Sequence, residues 1–75
     1  MSKRDLLSRA KPELKEAIAV YGVKYPHLAE GVKRDLSQTN GIIYLPYGTV
    51  LELEGMARAA GLEFNMGNPW YWFED

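Results

Sequence analysis

No cysteine occurs anywhere in the 75 residues, so whatever this chain folds into must be held together by packing and hydrogen bonds without a covalent staple. A disulfide framework, thiolate nucleophiles and thiolate-bound zinc or iron–sulfur groups are excluded together. A chain this short buries only about 60% of its unfolded surface on folding, which makes a rich apolar core a requirement. The chain meets it: hydrophobic residues make up 47%, with two Trp, five Tyr and two Phe, and each aromatic buries roughly 150–250 Å². A single domain over residues 1–75 follows.

The absence of cysteine suits a reducing compartment. Met1-Ser2-Lys3-Arg4-Asp5 is charged and leads into no apolar run of signal-peptide length, and no stretch reaches the roughly 18 apolar residues of a membrane span. The expectation is a cytoplasmic protein with no membrane partner.

Leu14, Ala17, Ile18 and Tyr21 recur at helical spacing, with Glu13, Lys15 and Glu16 off that face, and predict a helix with Gly22 as its stop. Pro12 belongs in a first turn, so either this helix begins between Ser8 and Pro12, or a short separate turn covers Lys3 to Arg9 and breaks there. Pro26 opens a second helix with Leu28, Ala29, Val32 and Leu36 inward, ending in Ser37-Gln38-Thr39-Asn40-Gly41 with a left-handed exit at Asn40-Gly41. Thr49-Val50-Leu51-Glu52 matches a capping box and starts a third helix, whose Val50, Leu53, Met56, Ala57 and Ala60 face inward and which Gly61 ends.

Three segments read as strands. Ile42-Ile43-Tyr44-Leu45 is β-branched and aromatic between Gly41 and Pro46. Leu62, Phe64 and Met66 alternate with Glu63 and Asn65. Trp70-Tyr71-Trp72-Phe73 follows the turn Met66-Gly67-Asn68-Pro69. The predicted fold is therefore α+β: about three helices packed on one face of a small three-stranded sheet that ends in a C-terminal β-hairpin.

In pleated geometry Trp70 and Trp72 point one way and Tyr71 and Phe73 the other, so both faces of the last strand need a cover. Either the helical arm of residues 1–37 supplies the second cover within the monomer, or a partner or second copy does. The functional expectation is a small non-catalytic interaction module, a regulator, inhibitor or adaptor. It would bind a larger protein or itself, as a homodimer, through Tyr44, Tyr47, Trp70, Tyr71, Trp72 and Phe73.

Charge supplies the alternative. Residues 1–37 carry eight Lys or Arg against five Asp or Glu, while residues 38–75 carry Arg58 against five acids. A winged-helix-like nucleic-acid binder would use the basic half through Lys11, Lys15, Lys33 and Arg34. Met56-Ala57-Arg58-Ala59-Ala60-Gly61-Leu62 resembles the first helix and turn of a helix-turn-helix, but the second helix would have to cross Gly67 and Pro69.

Catalytic constellations are missing from the pattern. His27 is the sole imidazole, with Glu30 three residues on as its only nearby relay partner. Ser8 and Ser37 sit where helix ends use serine, outside any nucleophile motif, and no Gly-Lys-Ser/Thr phosphate loop occurs. No acidic cluster has metal-ligand spacing, so neither a metal nor a cofactor is expected.

Overall fold

Pro12 and Pro26 each stand first in a helix, where a missing N–H is harmless because first-turn donors have no intrahelical partner. The computed structural model describes residues 4–65, 67 and 69–74. It runs as α1 (Leu6–Arg9), α2 (Pro12–Lys24), α3 (Pro26–Ser37), a 3-10 turn (Ile42–Tyr44), α4 (Tyr47–Ala59) and a last 3-10 turn (Pro69–Trp72). Met1, Ser2, Lys3 and Asp75 lie outside the described residues, as do Met66 and Asn68, assigned above to a strand end and a turn.

The α+β expectation is overturned. Among the described residues no strand forms; the sole β feature is an isolated antiparallel bridge between Ala10 and Phe73. Residues 42–45 have only four positions between Gly41 and Pro46, and they close on themselves: Tyr44 N donates to Gly41 O (3.0 Å) and Leu45 N to Ile42 O (3.1 Å). Residues three apart are then eclipsed, so Ile42 and Leu45 face the core while Ile43 and Tyr44 face water. Residues 62–65 keep the predicted alternation in burial, Phe64 in and Glu63 and Asn65 out, without a ladder. Their supposed partner, residues 70–73, curls into a turn closed by Phe73 N donating to Trp70 O (3.0 Å).

α1 is the short separate turn that Pro12 allowed. Asp5 caps it, its Oδ1 accepting from Ser8 N (2.8 Å) and from Ser8 Oγ (2.9 Å). Ser8 is thus the partner of a cap rather than a cap itself. α2 runs past Gly22 to Lys24. Pro26 ends it instead by driving Tyr25 out of helical geometry (φ −128, ψ 68). Gly22 is needed for another reason: a Cβ there would stand 2.9 Å from Ala29 Cβ, so glycine lets α2 and α3 approach.

α3 buries Ala29, Val32 and Leu36 but leaves Leu28 exposed. It leaves through Gln38 in right-handed geometry, and Gly41 is extended (φ −135), so the predicted left-handed exit does not form. α4 begins three residues earlier than the capping box implied, because Pro46 in extended geometry already directs the chain into it. Thr49 lies inside the first turn and is buried, and its hydroxyl donates across to Asp35 Oδ2 of α3 (2.6 Å) rather than capping α4. The far end follows the pattern: Gly61 is left-handed (φ 79), with Leu62 N donating to Ala57 O (2.8 Å) and Gly61 N to Arg58 O (3.0 Å), the Schellman arrangement.

α3 packs against α1, α2 and α4, and α2 also packs on α4. Leu6, Leu14, Ile18, Val32, Leu36, Leu53 and Met56 are the largest fully buried side chains, one from α1, two each from α2, α3 and α4. A single core is shared by every helix.

Two measurements check this packing. Gly22→Ala should lower stability: the helix-propensity gain of about 1 kcal/mol is outweighed by overpacking of roughly 1–3 kcal/mol. Gly31→Ala, whose Cβ meets nothing within 4 Å, should raise it; urea unfolding of both variants compares them. The second measurement concerns pH. The Ser8 backbone N–H, then the Ser8 hydroxyl, hold the Asp5 carboxyl below its ordinary value of 3.8. A carboxyl with a depressed folded pKa stabilises fully above its unfolded value and loses that contribution as pH falls through the folded one. Asp5→Asn should therefore flatten part of the stability–pH curve below about 3.8 and change its slope little near neutrality.

Candidate interaction surface

The two 3-10 turns decide which aromatics face outward. In the last turn Trp70 and Tyr71 are 41% and 61% exposed, while Trp72 and Phe73 are 7% and 6%. Trp72 is further fixed by its indole Nε1–H, which donates to Glu63 O (2.9 Å). Of the six aromatics expected to bind a partner, Trp72 and Phe73 are thus core residues, because a 3-10 turn sends neighbouring side chains inward where a pleat would alternate them. Tyr44 and Tyr47, at 70% and 72%, face water from the first turn and from the start of α4.

Arg9 joins these two aromatic positions. Its Nε donates to Glu74 O (2.6 Å) and its terminal guanidinium nitrogen to Asn40 O (2.8 Å), while the guanidinium carbon stands 6.0 Å from the Trp70 ring centroid. Asn40 precedes Gly41, against which the Tyr44 ring lies so closely that a Cβ at Gly41 would be 3.0 Å from Tyr44 Cδ2. Arg9 thus ties the segment bearing Trp70 to the loop that leads to Tyr44, 26 positions apart in the chain.

The backbone beneath is tied as well. Lys11 N donates to Trp72 O (2.8 Å), Glu74 N to Arg9 O (2.6 Å) and Leu6 N to Thr39 O (2.8 Å). The stretch around α1 thus holds both the C-terminal segment and the loop after α3. Lys11 Nζ stacks 3.7 Å over the Tyr71 ring, which meets Trp72 edge to face at 5.1 Å and 89°. A cation over a ring contributes roughly 0.5–1 kcal/mol at an exposed site. The result is a Trp, Tyr and Arg surface on a braced backbone, the composition that dominates protein–protein hot spots.

The basic residues put forward for nucleic acid are dispersed among intramolecular tasks. Lys11 stacks on Tyr71, Lys15 Nζ donates to Ser8 O (3.3 Å), Lys33 pairs with Glu30 (3.1 Å), and Arg34 Nε lies 3.8 Å from Asp35 Oδ1. Glu30 is therefore engaged away from His27, which is exposed at the start of α3. No group of three or more His, Cys, Asp or Glu side chains converges as a metal site among the described residues. No helix is long and apolar enough to cross a membrane, again among the described residues.

Sequence inspection missed Arg9 and Ile43. The Ile42–Leu45 pattern reads Ile43 as a strand residue, and Arg9 carries no local signal, since its bonded partners are 31 and 65 positions away. Val20 and Val23, both exposed on α2, were missed too. A helical wheel marks them, because neither lies on the Leu14, Ala17 and Ile18 face.

No protein-family model, curated protein or solved structure matches the chain.

Arg9→Ala should loosen both tethers at once. Loss of two charge-assisted bonds costs about 1.5–3 kcal/mol each at most, and amide exchange at Lys11 and Glu74 should quicken. Lys15→Ala, which removes a single 3.3 Å contact, should leave those amides protected.

Proposed function

We propose that this chain is a small non-catalytic interaction module, a regulator, inhibitor or adaptor that docks on a larger protein through the surface around Arg9. The observation that carries the reading is Arg9, which lies 6.0 Å from the Trp70 ring and bonds Asn40 O, and so ties the C-terminal segment to the loop that leads to the exposed Tyr44. Aromatic rings with few torsions, held by bonded backbone, bind with little loss of side-chain freedom. Tyr47 and Tyr71 extend the surface at its two ends, and Trp72 and Phe73 support it from the core. The cysteine-free composition suits a reducing compartment, and we assign the module to the cytoplasm.

The test uses the whole chain as bait in an extract of cells that carry it. A protein retained by the wild-type chain should be lost with the double substitution Tyr44→Ala and Trp70→Ala, since truncated anchors weaken binding by about tenfold or more each. Circular dichroism of the double variant should remain helical, because both rings are solvent-facing. Equal retention by wild type and double variant contradicts the reading.

A further inference from the structure

We draw no further inference here: the strongest candidate, the open apolar groove of about 700 Å³ between the C-terminal half of α2 and α4, lined by Val20, Tyr21, Val23, Tyr25, Gly55 and Ala59, carries nothing because nothing in the structure shows what covers it.

Discussion

Four prolines divide this chain, and each of them opens a helical element. Pro12 and Pro26 stand first in α2 and α3, Pro46 is the cap of α4, and Pro69 begins the last 3-10 turn. The ring fixes φ near −65° and removes a donor that a first turn does not need, so a helix can start there and an upstream helix must stop. The helix lengths follow: α2 must end before Pro26, and residues 42–45 are too confined before Pro46 to find a strand partner. With the helices cut to these lengths, α3 packs on α1, α2 and α4, and α2 packs on α4.

Much of the helical part was legible for that reason. The Leu14, Ala17 and Ile18 face, the Ala29, Val32 and Leu36 face and the Leu53, Met56 and Ala57 face are all buried as spaced, and Gly61 ends α4 as a left-handed glycine. The strands were illegible because four β-branched or aromatic residues look alike whether they alternate in a pleat or close a 3-10 turn. Deciding between them needs a pairing partner, and pairing is a long-range property. Burial at Phe64 alternates as a strand would, yet its neighbour across space is the Trp72 indole bonded to Glu63 O, a side chain in place of a ladder.

The same limit governs the interaction surface. Tyr44, Tyr47, Trp70 and Tyr71 could be named because they lie in or beside the two aromatic segments, and the structure leaves all four exposed. The inward turn of Trp72 and Phe73 could not, since it depends on the bridge to Ala10 and on the backbone bonds made by Arg9 and Lys11. Arg9 gathers the site from three parts of the chain, and only the folded chain brings those parts together. One small helical frame thus carries a braced polar-aromatic surface around Arg9 and an open apolar groove between α2 and α4.

The opposed fates of the two tryptophans carry most of this account, and hydrogen exchange at their indole N–H groups reads them directly. In a ¹⁵N-resolved spectrum followed after transfer to D₂O, the Trp72 signal should persist, because its N–H is bonded to Glu63 O inside the fold. The Trp70 signal should vanish at once, since that ring is open to water. Equal rates for the two indoles, whether both fast or both slow, would contradict the turn geometry on which the surface rests.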